Sequence, residues 1–412
     1  MESNPKKKSL YIFSTDLPKG LSDLFMLPEL SELSERNINI SLFPFYKGEN
    51  APSLIHPKII VNECMVSYKE DGKIDLRLFT LFIKVVLIDL YYNKNAFWTN
   101  VKNIRKTFSY FKSLYFKSAY LINKVREFEP NAIYYSYWWV EWNLILIILK
   151  LQGKLINPKI VTRTHNFDLY TERQNNYIPF RGLQLFYTDT IYTISKNGSN
   201  YLKSKYPKFE NKVVNFYLGT KDNGYSDNKI NINQFNLISV SDFRDVKRVW
   251  LIPEILKYIT QIDLKWTHIG TGKGIEDFQR KMTETLFPEN ISYEFKGFIK
   301  NNELYNLYKQ NDFHLFINVS SYEGLPVSIM EAISMGVPAV ATDVGGTKEI
   351  INDETGFLIP KDFDPKKVAE EITHFLLSIN NKIDYKKRAR EFWEKNFKDE
   401  KNCNDFANHL LS

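Results

Sequence analysis

Two glutamates with seven residues between them, Glu323 and Glu331, stand in the stretch SYEGLPVSIMEAISMGVPAVATDVGGTKEI that begins at residue 321. Acids so spaced can be helix-start carboxylates opposing the dipole, an acid/base pair, or two grips on one ligand. The segment DFHLFINVSSYEGLPVSIMEAISMG parses as a buried strand, a loop and a helix, with Pro326 in the first helical turn and Gly336 at the stop. Glu323 then falls in the loop and Glu331 about one turn inside the helix. The neighbouring turns carry related chemistry. Gly345 and Gly346 follow the next strand in ATDVGGTKEI, ahead of another helix, where a glycine pair lets backbone N–H groups approach an anion. Lys247 lies in the strand-to-helix turn of ISVSDFRDVKRV, and Gly270, Gly272 and Gly274 follow the strand that ends in HIGTGKG. Four successive strand ends thus offer glycines, a lysine or paired acids on one edge of a sheet, a clustering that random surface decoration does not produce.

The elements that must position these residues alternate along the whole chain. Strand-like runs are LYIFS (10–14), INISLFPF (38–45), AIYYSY (132–137), KIVTRTH (159–165) and DTIYTIS (189–195) in the first half. In the second half they are FNLISVS (235–241), DLKWTHIG (263–270), ISYEFKG (291–297), DFHLFINVS (312–320) and PAVATD (338–343). Helical stretches separate them, which predicts parallel sheets covered on both faces. With 412 residues the chain exceeds one hydrophobic core, so two domains are expected. The polar stretch GTKDNGYSDNKININQ (219–234) reads as the linker. Doubly wound domains bind ligands at the carboxyl ends of their strands, so the cleft between the two is the expected site.

Composition narrows the class. An apolar fraction of 43% with 25% charged residues is that of a globular protein. Two distant cysteines, Cys64 and Cys403, match no metal or redox spacing and suit a reducing compartment. After Lys6, Lys7 and Lys8 the short run LYIF reads as a first buried strand rather than a signal peptide. IYYSYWWVEWNLILIILKL (133–151) contains Glu141, Asn143 and Lys150, and reads as a buried strand and core helix rather than a membrane span. The net charge of +7 is uneven: between Lys84 and Arg126 nine Lys/Arg face one acid, Asp89. Phe97, Trp98, Phe108, Tyr110, Phe111, Tyr115, Phe116 and Tyr120 are threaded through the same stretch. That mixture suits a core-facing helix with a solvated lysine face, peripheral contact with an anionic membrane, or single-stranded nucleic acid.

The run E-G-L-P-V-S-I-M-E-A, with GVPAVATDVGG and TGFLI (355–359) behind it, resembles the retaining glycosyltransferases of family 4, which have the GT-B fold. RTHNFDLYTER (163–173) is similar to the R-x-H-x-x-D stretch of polysaccharide and lipopolysaccharide enzymes in that family, and SYWWVEW to their SYW segment. The resemblance implies an α/β, GT-B chain of two facing Rossmann-like doubly wound domains. Its parts would be an acceptor-side domain 1–218, a linker 219–233, a nucleotide-sugar domain 234–385, and C-terminal helices 386–412 packing back on the first. It also implies roles. Glu331 would bond the ribose hydroxyls of a UDP- or GDP-sugar donor, and Glu323 the hydroxyls of the transferred sugar. Gly324 and Leu325 would turn their N–H groups toward the diphosphate, with Gly270, Gly272, Gly345 and Gly346 lining the donor site. Lys247 would neutralise the departing diphosphate, His165 would face the sugar near the reacting carbon, and Gly20 would belong to a first-domain loop near diphosphate and acceptor. No cofactor or metal is implied. The partners would be a glycan or polyprenyl-linked acceptor and the inner face of the plasma membrane, with no nucleic acid.

Some positions depart from the family pattern. An arginine common five residues before the lysine is here Asp242, leaving Arg244 and Arg248 as candidate replacements, and Thr347-Lys348-Glu349 follows the glycine pair. Asp362 and Asp364 form an Asp-x-Asp, yet Asp364 before Pro365 reads as a helix N-cap rather than a metal ligand. His268 and His314, inside strands, read as core histidines. The carboxylates of a retaining hydrolase stand about 5 Å apart. Eight residues of mostly helical rise, roughly 1.5 Å each, exceed that, so two handles on one donor fit Glu323 and Glu331 better than a nucleophile pair. The rival expectations are a nucleotide-sugar epimerase of the same fold and a non-catalytic sugar-binding or scaffolding partner.

Overall fold

The computed structural model describes residues 7–17, 24–46, 55–70, 72–93, 102–125, 128–175, 177–225, 234–379 and 384–412. Gly20, Phe97, Trp98 and linker residues 226–233 lie outside these. The chain divides into two compact units, Met1–Phe216 with Cys403–Ser412, and Tyr217–Asn402.

The first unit is built on strands β1 (Lys8–Ser14), β2 (Ile38–Pro44), β3 (Ile60–Val61), β4 (Ile133–Ser136), β5 (Lys159–Thr164), β6 (Thr190–Thr193) and β7 (Val213–Asn215), in the order β3-β2-β1-β4-β5-β6-β7. The second has β8 (Phe235–Val240), β9 (Leu264–Ile269), β10 (Ile291–Phe295), β11 (Leu315–Asn318), β12 (Ala339–Thr342) and β13 (Gly356–Ile359), in the order β10-β9-β8-β11-β12-β13. Every pairing is parallel. The central strands are mainly apolar because helices cover both faces; β11, LFIN, and β12, AVAT, are wholly buried. Beyond the expected strands lie β3, β7 and β13.

In each sheet the strand order reverses once, between β1 and β4 and between β8 and β11. At such a switch point the loops leave in opposite directions and open a crevice at the carboxyl ends of the strands. The loop carrying Lys247 leaves β8, and the loop carrying Glu323 leaves β11, its sheet neighbour.

The C-terminal region differs from expectation in where it turns back. Residues 386–402 stay with the second unit, where Arg390 donates to the Ser334 carbonyl and to Asp222, and buried Trp393 donates to Thr220 Oγ1 at 2.7 Å. Only Cys403–Ser412 joins the first unit, with Phe406, Ala407 and Leu410 in its core beside Tyr135 and Tyr192.

The basic, aromatic stretch is helical over Leu76–Tyr92 and Ile104–Val125. On the second of these helices Phe111, Leu114, Phe116 and Leu121 are buried in the core, and Phe108, Tyr110, Tyr115 and Tyr120 pack at its margin. These aromatics are therefore core-facing, as the solvated-lysine alternative expected. Among the described residues no helix is long and apolar enough to cross a membrane.

Candidate functional site

At the second unit's switch point Lys247 Nζ lies 2.8 Å from Glu323 Oε1, and Asn318 Nδ2 donates to the same oxygen at 3.2 Å. Asn318 ends β11, and its Oδ1 accepts the Ser320 N–H at 2.9 Å, which orients the amide nitrogen toward Glu323. Lys247 is held on both sides. Val246 accepts from the Ser321 N–H (2.8 Å), and Arg248 Nε donates to the Val319 carbonyl (2.8 Å). Two loops from adjacent strands are thus stitched together around one cation–carboxylate pair. Glu323 is 6% exposed, so its charge is met by these two donors rather than by bulk water.

The glycines explain how the loops come so close. At Gly345 (φ +56°) a Cβ would stand 1.8 Å from the Glu323 carbonyl oxygen, so only glycine fits. Gly346 donates its N–H to the Gly324 carbonyl at 2.9 Å, so that amide joins the two loops instead of facing an anion. The expected helix after the pair is a single 3₁₀ turn, Thr347–Glu349, with Glu349 accepting from Tyr217. Gly270 likewise packs under the Ser241 carbonyl, and Gly272 against Phe243, which brings the β9 loop against the β8 loop. The amides of Gly324 and Leu325 have no acceptor among the described residues.

Glu331 occupies the second turn of the Val327–Ser334 helix and is also 6% exposed. It faces the Asn301–Gln310 helix, from which Asn301 Nδ2 donates to Oε1 at 3.1 Å and Tyr305 adds a second hydrogen bond. Burial raises its carboxyl to about 7, and the two donors only partly offset that. Glu323 and Glu331 therefore take separate partners. Sequence reasoning did not find Asn318, Asn301 or Tyr305. A polar residue closing the apolar run LFIN was the one available signal for Asn318.

The two candidates for the family arginine have other partners in this structure. Arg244 pairs with Asp242 at 2.6 Å in an exposed setting. Arg248 is spent on the carbonyls of Val319 and Lys361 and stacks over Phe363, clamping the loops from behind. Asp364 caps the helix that starts at Pro365, accepting the Lys366 N–H at 2.9 Å. His268 bonds Ser239, and His314 accepts the Asn236 N–H; both are buried. No group of three or more His, Cys, Asp or Glu among the described residues is arranged to hold a metal ion.

In the first unit His165 follows β5 and is 8% exposed. Its backbone N–H is fixed by Asp168 Oδ1 (2.8 Å), while Asp168 Oδ2 accepts the Trp139 N–H (2.9 Å). The imidazole lies against Tyr137 and Trp138, with centroids 4.7 and 4.2 Å away, so the two resembling segments of this unit meet at one histidine. Neither ring nitrogen has a hydrogen-bond partner among the described residues. Burial, and then nearby Arg163, hold the imidazole well below its usual range and hence neutral. Arg163 itself is paired with buried Glu29 and donates to the Phe216 carbonyl.

Comparisons with known proteins bear on the family and the fold. Residues 222–392 match the family described as Glycosyl transferases group 1. Across 98% of both chains the structure superposes on sucrose-phosphate synthase from Thermosynechococcus elongatus with a TM-score of 0.68 at 16% identity. The fold is GT-B. The Anabaena protein HepE, solved in complex with UDP and glucose, superposes with a TM-score of 0.66 at 14% identity over 98% of this chain and 99% of that one. Over 188 residues the sequence is 28% identical to the Escherichia coli O-antigen biosynthesis glycosyltransferase WbnH, covering 43% of this chain and 51% of that protein. The chain thus spans about half the length of that curated relative.

Proposed function

We propose that this chain is a glycosyltransferase that moves a sugar from a nucleotide-diphosphate sugar to a glycan or lipid-linked acceptor in cell-surface polysaccharide biosynthesis. The observation that carries the proposal is the Lys247–Glu323 pair at the switch point, joined to a loop whose Gly324 and Leu325 amides have no acceptor among the described residues. A cation, buried acceptor and amide donors at strand ends suit a sugar carried on a diphosphate. The group 1 match over most of the second unit and the fold shared with a UDP-binding neighbour support the same reading.

The chemistry assigned to these residues is charge stabilisation. The bond from the anomeric carbon to the β-phosphate oxygen breaks with its electron pair leaving on the diphosphate, and Lys247 with the Gly324 and Leu325 amides meets that charge without a metal. The acceptor hydroxyl oxygen bonds the same carbon from the same face and gives its proton to the departing phosphate oxygen, so configuration is retained with no protein nucleophile. Glu323 accepts sugar hydroxyls, and Glu331 accepts the ribose hydroxyls. His165, in the first unit, has a neutral imidazole that suits a hydrogen bond to a sugar hydroxyl. A thermal-shift panel of UDP- and GDP-sugars tests donor binding, and nucleotide release with NMR of the product anomer tests transfer. Stabilisation by no donor would overturn the enzyme reading, a trapped glycosyl-enzyme would overturn the missing nucleophile, and an altered free donor sugar would indicate an epimerase.

A further inference from the structure

The Leu76–Tyr92 helix, LRLFTLFIKVVLIDLYY, is apolar on every side, with Arg77, Thr80, Lys84 and Asp89 its non-aromatic polar residues. Such a helix is ordinarily enclosed. Here one face alone is enclosed: Leu78, Phe82, Val85 and Asp89 point inward, and Asp89 accepts the Gly182 N–H. On the opposite face, at helical spacing, Leu76, Ile83, Leu87 and Tyr91 are 58–78% exposed. Phe79 borders this stripe and is partly engaged, stacked on Phe108.

The exposed charges beside the stripe are mainly cationic. Arg77 and Lys84 are exposed along one edge of the same helix, Lys73 just before it, and Lys102, Arg105 and Lys106 at the start of the next described helix. Lys208 Nζ lies over the Tyr91 ring at the far end. The acids in the described residues from 72 to 125 are Asp75 and Asp89, the first turned to cap the helix through the Leu78 N–H and the second buried. A second copy of this face would bring like charges together. An acidic lipid surface instead meets apolar and cationic groups at once.

We propose that the outer face of the Leu76–Tyr92 helix lies flat on an anionic membrane surface, with Leu76, Ile83, Leu87 and Tyr91 among the upper acyl chains and Arg77 and Lys84 at the headgroups. At about 1.5 Å per residue the helix runs along the surface rather than through it. This docking does not depend on the transfer reaction, so it stands or falls separately from the proposed activity.

The experiment is flotation of the full chain with phosphatidylcholine vesicles, with and without phosphatidylglycerol, at low and high salt. The wild type floats with the anionic vesicles, and high salt or omission of phosphatidylglycerol weakens binding. The double variant Ile83→Asp/Leu87→Asp loses about ten-fold or more of the bound fraction, and so does Arg77→Glu/Lys84→Glu. Both keep the wild-type circular dichroism and melting temperature, because these side chains project away from the core. The proposal is overturned if the wild type stays unbound at low salt or binds both vesicle types equally. Undiminished binding by both folded variants overturns it too. A soluble dimer that Ile83→Asp/Leu87→Asp dissolves assigns the face to a second copy instead.

Discussion

Lys247 and Glu323 are separated by 76 positions in the chain and by 2.8 Å in space, with Asn318 bonded to the same carboxylate oxygen. The cation assigned to the leaving diphosphate is therefore already oriented by the residue assigned to the sugar. Replacing Lys247 with Met should lower kcat by about 10²- to 10³-fold, with a smaller loss in nucleoside diphosphate affinity. Lys247→Arg should not restore the rate, since a planar guanidinium does not fit a point-charge site. A Lys247→Met enzyme with near-normal kcat would remove the lysine from the reaction.

Asn318 acts through Glu323, so its replacement separates positioning from contact. Its amide is fixed by the Ser320 N–H, leaving Nδ2 for Glu323. Asn318→Asp sets a second carboxylate against the first and should reduce kcat more than Asn318→Ala. The alanine variant should lose about ten-fold, one hydrogen bond to a charged group. Equal rates in the two variants, measured at saturating donor, would rule out this electrostatic role.

Gly345 and Gly274 offer a matched comparison of close approach against backbone strain. Both have positive φ, but a Cβ at Gly345 meets the Glu323 carbonyl at 1.8 Å, whereas at Gly274 nothing lies within 4 Å. Gly274→Ala should cost about 1–2 kcal/mol by thermal melting and leave turnover close to normal. Gly345→Ala should cost more and abolish turnover, because the loop bearing Glu323 must move. Similar activities in the two would mean that the contact does not set the position of Glu323.

The strand pattern is readable because β8, β11 and β12 are short, mainly apolar runs bounded by polar turns. β3 and β7 escaped notice as pairs or triplets at the sheet edges, too short to carry a period. The candidate site was legible as residue types at strand ends, but not as contacts. Nothing local to Lys247 names Glu323 as its partner. Glu331 reads as a surface acid near a helix start, and its burial comes from a helix that ends 21 positions earlier, at Gln310. The resemblance sets the turn-back at 386, whereas residues up to Asn402 belong to the second unit; a helical pattern shows that a helix packs, not which core it packs on.

His165 is held neutral by burial and by Arg163, so no ionisation of this group should shape the pH–rate profile near neutrality. His165→Ala should lower kcat by about 10- to 100-fold through loss of one or two hydrogen bonds, leaving nucleoside diphosphate affinity unchanged. The profile should keep its shape. A limb near pH 6.5 in the wild type that disappears in His165→Ala would show that the imidazole titrates in catalysis.

Glu331 is the group whose ionisation should show. Its folded value of about 7 lies above the ordinary 4.5, so folding favours the protonated form. Stability contributed by that form is complete below the unfolded value and is lost as pH rises through about 7. The full difference is about 3 kcal/mol, from the size of the shift. Glu331→Gln should flatten this slope and raise the alkaline melting temperature above that of wild type. Donor binding should run the other way. The ionised carboxylate is the better acceptor for ribose hydroxyls, so nucleotide affinity should rise with pH through the same region in wild type. In Glu331→Gln it should be about ten-fold weaker and flat with pH. Calorimetric titrations of UDP and GDP across that interval would decide, and unchanged affinity in the variant would end the ribose assignment.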